Sequence, residues 1–176
     1  MRVMFTSDEL RGGVARMAED INRTYGETPL TIVGVLTGSV VLLADLMRFL
    51  NMPVRVGVLH ASSYRNNTRP GELIVNRELM LDISRHHTLL VDDIFDTGHT
   101  MVRVLEELRE FEPSSLRTAV LLRKAARKEV DYVPDFIGFE IPDEFVVGYG
   151  LDYREMYRNL PYLAALEPAD LAGDKS

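Results

Sequence analysis

Short apolar runs alternating with amphipathic segments constrain this chain more than any other feature. Residues 30–36, 54–60, 88–91 and 115–122 each suit a buried strand and are too short for a helix. Between them, residues 40–50 are largely apolar, and Met101, Val104, Leu105 and Leu108 fall on one helical face. Strands that alternate with helices of about 10–15 residues predict an α/β fold, with a mostly parallel central sheet flanked by helices on both faces. Such sheets bind ligands beyond the carboxyl ends of the strands, where strand order reverses. The places to search are therefore residues 36–37, 60–61, 92–93, 123–124 and 147–148.

A helix opens the chain. Thr6 and Glu9 fit a capping box, and Leu10, Val14, Met17, Ile21 and Tyr25 recur at helical spacing before Gly26 stops the run. Thr37, Gly38 and Ser39 form a turn into the helix at 40–50, which Pro53 closes off. Residues 61–71, ASSYRNNTRPG, are polar, rich in turn formers and without periodicity. A loop of that length inside a compact domain is more often functional than accidental. Residues 72–75, 136–139 and 145–147 read as further short strands, and 167–176 as a polar tail. Nothing divides the chain, so 1–176 reads as one domain.

Composition narrows the function classes. The 176 residues carry 20 Lys and Arg against 27 Asp and Glu, a formal charge of −7. A general binder of nucleic-acid backbone needs clustered basic side chains, and this balance argues against one. With no Cys, disulfides, thiolate zinc sites and Cys nucleophiles drop out together, and a reducing compartment is expected. The longest uncharged stretch, residues 28–44, is interrupted by Gly34 and by the turn at 37–39, and Asp8 and Glu9 come too early for the apolar core of an export signal. We expect a cytoplasmic chain with neither a membrane segment nor a nucleic-acid partner.

Residues 89–100, LLVDDIFDTGHT, hold the densest chemistry. A buried strand delivers Asp92 and Asp93 to its carboxyl end, Asp96 follows, and Thr97, Gly98, His99 and Thr100 lead into a helix. Gly98 lets the backbone approach a ligand, and free amides at a helix start bind phosphate. Carboxylates beside a phosphate site suit ribose hydroxyls, or a Mg²⁺ that bridges to phosphate oxygens. A P-loop hydrolase would also need GxxxxGK[ST], which residues 34–39 do not supply. Three acids serving only as helix caps fit a single Asp better than this run.

This segment resembles the phosphoribosyl pyrophosphate (PRPP) signature of type I phosphoribosyltransferases. The wider chain, over about residues 6–166, resembles their hypoxanthine-guanine branch. The stretch RKAARKEVDYVPDFIGFEIPDEFVVGYGLDYREMYRNLPY matches that branch's carboxyl-terminal half, GVLTGSVVLLADLMR its pyrophosphate loop and helix, and SSYRNNTRPGE its mobile loop. The resemblance implies a central sheet with a small hood, and transfer of ribose phosphate from PRPP to hypoxanthine, and to guanine, releasing pyrophosphate and giving IMP or GMP. It also implies Mg²⁺ dependence and a homodimer or homotetramer.

Roles follow by the same resemblance. Asp92 and Asp93 would contact ribose hydroxyls, directly or through Mg²⁺, and Asp96 would take the proton from the purine's imidazole nitrogen. Thr97, Gly98, His99 and Thr100 would wrap the 5′-phosphate. Lys124 would donate to the six-position oxygen, against a reading as solvated surface. Phe145 would cover the purine face, against a reading as core, and Val146 would offer its backbone to the ring edge. Asp152 would serve a second metal or the base edge, and Arg158 the pyrophosphate, against a reading as a surface pair. Thr37 and Gly38 fall in the pyrophosphate loop, where a non-proline cis peptide is common and where Thr37 replaces a frequent Lys. Ser63 and Tyr64 match the pair on the closing loop. Tyr149 is read as packing. Two alternatives use the same residues: a transferase preferring xanthine or guanine, and a PRPP-sensing regulator that binds nucleic acid.

Overall fold

The computed structural model of the protein describes residues 1–63, 73–76 and 81–172. Nine strands and four helices follow in the order β1 (Arg2–Phe5), α1 (Ser7–Tyr25), β2 (Leu30–Leu36), α2 (Val40–Met47), β3 (Val54–Ser63), β4 (Leu73–Asn76), β5 (His87–Phe95), α3 (His99–Arg109), β6 (Ser115–Arg123), β7 (Phe136–Glu140), β8 (Val146–Val147), β9 (Leu163–Ala165) and α4 (Pro168–Ala172) among the described residues. A single 3-10 turn, Ala125–Arg127, follows β6.

The main sheet has the order β4-β3-β2-β5-β6-β7. Its strands β3, β2, β5, β6 and β7 are parallel, and β4 joins β3 antiparallel. Side chains alternate faces along a strand, and β5 shows the consequence. Leu89 and Val91 pack with Leu10, Val14 and Ile21 of α1 and Leu42 and Leu46 of α2. Leu90 turns the other way and packs with Met101, Val104, Leu105 and Leu108 of α3. Both faces are thus covered, as the near-continuous apolar runs of β2 and β5 require.

A smaller antiparallel sheet, β1-β9-β8, forms the hood. Its strands are short, and β1 and β9 are not evident in the sequence. Ala164 and Ala165 belong to β9 because they pair with β1 at the start of the chain and with β8. Other boundaries also differ from the sequence reading, among them the end of α2, at Met47 and not residue 50. Residues 61–63 are not loop but the end of β3, with Ala61, Ser62 and Ser63 opposite Val75, Ile74 and Leu73. Residues 168–172 of the expected tail are helical. Of the expected closing loop, residues 64–72, Tyr64 among them, lie outside the described residues.

The switch in strand order lies at β2, which has β3 on one side and β5 on the other. The crevice between the carboxyl ends of β2 and β5 therefore brings residues 36–38 beside residues 92–97.

At the start of α1, Thr6 Oγ1 accepts from the Glu9 amide at 3.3 Å and Glu9 Oε2 accepts from the Thr6 amide at 2.8 Å, so the capping box is closed. Thr6→Ala removes one of these acceptors and the hydroxyl that helps hold the other. It is expected to lower stability by about 0.5–2 kcal/mol in urea unfolding; an unchanged midpoint would mean that the box contributes nothing here.

Candidate active site

Two adjoining cavities open at this crevice. The first, about 300 Å³, lies between Leu36 and Gly38 on one side and residues 92–98 on the other, with Asp152 and Arg158 at its rim. The second, about 310 Å³, is walled by Lys124, Arg127, Phe145, Val146 and Leu151. Asp93, Ile94, Asp96 and Asp152 line both, so the acidic loop forms the partition.

Asp92 and Asp93 sit at the carboxyl end of β5, which runs through them to Phe95 instead of stopping at Val91. Asp92 is buried, and its Oδ1 accepts the Asp93 amide at 2.9 Å; Asp93 Oδ1 accepts the Ile94 amide at 2.8 Å. Neither has an ion-pair partner among the described residues. Burial pushes the Asp92 carboxyl well above the usual carboxylate range, and the neighbouring Asp93 charge adds to it. Burial raises Asp93 as well, against its hydrogen bonds and the Arg158 charge. The Asp93 carboxylate lies against Gly38 so closely that a Cβ there would fall 1.7 Å from Oδ2.

The turn expected to wrap a phosphate is Thr97 to Thr100. Gly98 has φ +92° and precedes α3, whose first turn carries no acidic side chain and no side-chain cap. A side chain at Gly98 would meet Val130 and the Phe95 ring as well as an unfavourable φ. The first amides of α3 are therefore free for an anion, with the helix dipole in favour. The turn is fixed from below, where the Thr97 carbonyl accepts the Glu129 amide at 3.0 Å. His99 is exposed and its Nε2 lies 2.8 Å from Glu129 Oε2.

Asp96 faces the second cavity. Its Oδ1 lies 2.9 Å from Arg127 Nε and its Oδ2 3.8 Å from Lys124 Nζ. The Arg127 contact lacks hydrogen-bond alignment, and Oδ1 is buried without a hydrogen-bond donor. That oxygen is thus an acceptor with unused capacity, set against the Arg127 side chain. Lys124 is only 6% exposed, so it is not solvated surface; its Nζ reaches Asp143 Oδ1 at 3.4 Å. Phe145 is 49% exposed, so it is not core, and its ring meets Tyr153 edge-on at 5.5 Å. Val146 is held in β8 by pairing with Ala165.

Asp152 and Arg158 do pair, Oδ1 to Nη2 at 2.7 Å, but on the cavity rim. Arg158 Nη1 also donates to the Gly150 carbonyl at 2.7 Å. The peptide between Leu36 and Thr37 is cis. Leu36 and Gly38 line the first cavity, while Thr37 is exposed and does not line it. Ser63 ends β3 opposite Leu73, and Tyr64 lies outside the described residues. Arg127 and Leu151 also wall the second cavity, and no motif points to either. Arg127 reads in sequence as one of several basic neighbours of Lys124, and only the 3-10 turn folds it back onto Asp96.

A mostly parallel sheet with an acidic strand end, a phosphate turn and an antiparallel hood is the type I phosphoribosyltransferase fold. The phosphoribosyl transferase domain model matches residues 6–154, and the chain belongs to this family. Within it, the chain is 39% identical to the hypoxanthine phosphoribosyltransferase of Haemophilus influenzae, over 92% of each chain. It is 38% identical to the hypoxanthine-guanine phosphoribosyltransferase of Aquifex aeolicus, over 95% of each. A crystal structure of a hypoxanthine-guanine phosphoribosyltransferase from Bacillus anthracis superposes with a TM-score of 0.90 at 33% identity, covering 95% of this chain and 99% of that one. The hypoxanthine phosphoribosyltransferase of Trypanosoma cruzi superposes at 0.91 with 35% identity, covering 98% and 94%.

The raised Asp92 carboxyl has a consequence for stability. Between the ordinary carboxylate range and its raised value the folded chain binds the extra proton, so stability falls as pH rises through that window. Asp92→Asn removes the ionisation. The ligand-free variant is expected to be more stable than its parent at pH 7.5, read as a higher Tm. Near pH 3 the gain should vanish. A variant less stable than its parent at both pH values would show that the carboxylate is favourably paired instead.

Proposed function

We propose that the protein transfers the ribose phosphate of PRPP to hypoxanthine and guanine, giving IMP or GMP and pyrophosphate in purine salvage. The observation that bears most weight is the partition between two cavities. Phosphate-type donors stand on one side and a Lys with an aromatic face on the other, with Asp93, Asp96 and Asp152 between.

In this reading the 5′-phosphate rests on the amides of residues 97–100, and pyrophosphate on the Gly38 backbone and the Arg158 fork. Thr37 contributes its backbone alone, as does His99. Asp92 and Asp93 hold the ribose hydroxyls. Two adjacent carboxylates without an ion-pair partner among the described residues also fit a hard divalent cation, and Asp92 and Asp93 would hold it; Asp152, paired here with Arg158, would serve a second metal or the base edge. Mg²⁺ bound at Asp92 and Asp93 would neutralise charge on the departing pyrophosphate.

Lys124 donates to the six-position oxygen, which favours an oxo over an amino purine because an ammonium has no acceptor for N–H. Phe145 lies over the ring and the Val146 backbone meets its edge. As the bond from the anomeric carbon to pyrophosphate lengthens, the imidazole nitrogen closes on that carbon. The Asp96 carboxylate takes the proton that nitrogen loses, with Arg127 and Lys124 holding the carboxylate in place. Ser63, at the end of β3, and Tyr64, which follows it in sequence, would serve the exclusion of water during transfer.

Among the described residues no helix is long and apolar enough to cross a membrane, and a cytoplasmic enzyme accords with the substrate. Val40 and Met47 remain exposed on α2 while Leu42, Leu43 and Leu46 fill the core. These two offer apolar surface for the homodimer or homotetramer.

Purified protein given PRPP and Mg²⁺ with one purine at a time is expected to form nucleotide from hypoxanthine and guanine and none from adenine. Asp96→Asn should lower turnover by about 10²–10⁴-fold, the usual share of general-base catalysis, while PRPP binding by calorimetry stays within about threefold. Lys124→Ala should raise the KM for oxopurines. Retained PRPP binding without product from any base would favour a regulator, and xanthine turned over in preference to hypoxanthine would move the assignment to a sibling specificity.

A further inference from the structure

Tyr149 packs as the sequence suggests, but its surroundings do more than bury it. Gly148, Tyr149 and Gly150 have φ of +97°, +49° and +99°. Three successive residues in the left-handed region are unusual, and the middle one bears a side chain that disfavours it. Such a conformation persists where neighbouring contacts over-determine it.

Those contacts run to two places. Along the chain, the Tyr149 amide donates to the Leu160 carbonyl at 2.9 Å and the Gly150 amide to the Arg158 carbonyl at 3.0 Å. Toward α2, the Tyr149 hydroxyl donates to Asp45 Oδ2 at 2.5 Å. The Gly150 backbone also lies so close to Gly38 that a Cβ would fall 2.2 Å from the Gly38 carbonyl oxygen. Asp45 belongs to α2, the helix that begins just after Gly38. The turn at 148–150 therefore grips the pyrophosphate loop and its helix at two separate points. The same turn carries the Arg158 fork through the Gly150 carbonyl.

We infer that the Tyr149–Asp45 hydrogen bond is a positioning strut: it sets the separation of Gly38 and Arg158 and so the affinity of the site for the pyrophosphate group. The inference rests on the transferase reading, and deepens it by naming two positioning residues that do not touch substrate. Tyr149 and Asp45 face a separate cavity of about 410 Å³, lined also by Ser7, Arg11, Arg48 and Phe49. Burial and the Asp45 carboxylate push the phenol far above its ordinary range, so it stays an O–H donor at working pH. Tyr149→Phe removes the bond and keeps the packing. Asp45→Asn keeps an oxygen acceptor; Asp45→Ala does not.

The test compares pyrophosphate binding with Mg²⁺, by calorimetry, with the KM values for PRPP and hypoxanthine. Tyr149→Phe and Asp45→Ala are each expected to weaken pyrophosphate binding and raise the KM for PRPP about tenfold, the scale of one lost hydrogen bond to a charged group. The KM for hypoxanthine should stay within about twofold, Asp45→Asn should recover most of the loss, and the double variant should be no worse than either single one. Unchanged pyrophosphate affinity in Tyr149→Phe would overturn the strut alone, if the unaltered chain binds pyrophosphate and turns over. Equal loss for both substrates with no recovery in Asp45→Asn would also overturn it, leaving a packing role. An unaltered chain that neither binds pyrophosphate nor makes nucleotide would overturn the transferase reading and the strut with it.

Discussion

Two adjacent carboxylates held out of water at the end of a central strand are the constraint on which the rest of this structure depends. Burying Asp92 and Asp93 side by side is unfavourable for both charges. The fold tolerates it because each accepts a backbone amide and because the crevice between β2 and β5 is built around them. Gly38 has no side chain because the Asp93 carboxylate occupies that space. A site of this kind is destabilising when empty and complementary to a ligand that supplies hydroxyls and positive charge. That is the usual exchange of stability for function.

The same crevice explains the division of labour between sheets. In the proposed reading the parallel sheet supplies phosphate chemistry: free amides at the start of α3, the backbone of Gly38 and the acidic strand end. The hood would supply the face for a planar base, since β8 pairs with β9 and holds Val146 beside an exposed Phe145. Asp96 stands where the two meet, with a buried, unbonded oxygen and two cations behind it. The turn at 148–150 links the halves, since Tyr149 and Asp45 are 104 positions apart yet share a hydrogen bond.

Much of this architecture is legible in the amino-acid sequence. The capping box at Thr6 and Glu9, the limits of β2 and the periodicity of α3 are local signals, and local signals survive folding. The acidic run and the phosphate turn are legible for the same reason, since strand, turn and helix are contiguous. What escapes depends on contacts distant in sequence. The four residues of β1 and three of β9 have no periodicity of their own and exist by pairing with each other. Arg127 reads as solvated charge, and Tyr149 as packing, because nothing local shows that one folds onto Asp96 or that the other reaches α2. Phe145 and Lys124 show the reverse: spacing and charge point to core and surface, whereas the ring is exposed and the ammonium buried, and both line the second cavity.

The most direct test of the two-cavity account is a crystal structure of the protein bound to IMP. The account predicts the phosphate on the amides of residues 97–100, the ribose hydroxyls at Asp92 and Asp93, and the six-position oxygen within hydrogen-bond reach of Lys124 Nζ, with the imidazole ring toward Asp96. A nucleotide lying with its base at Gly38 and Arg158, or with Lys124 still turned to Asp143 and no contact to the purine, would contradict it.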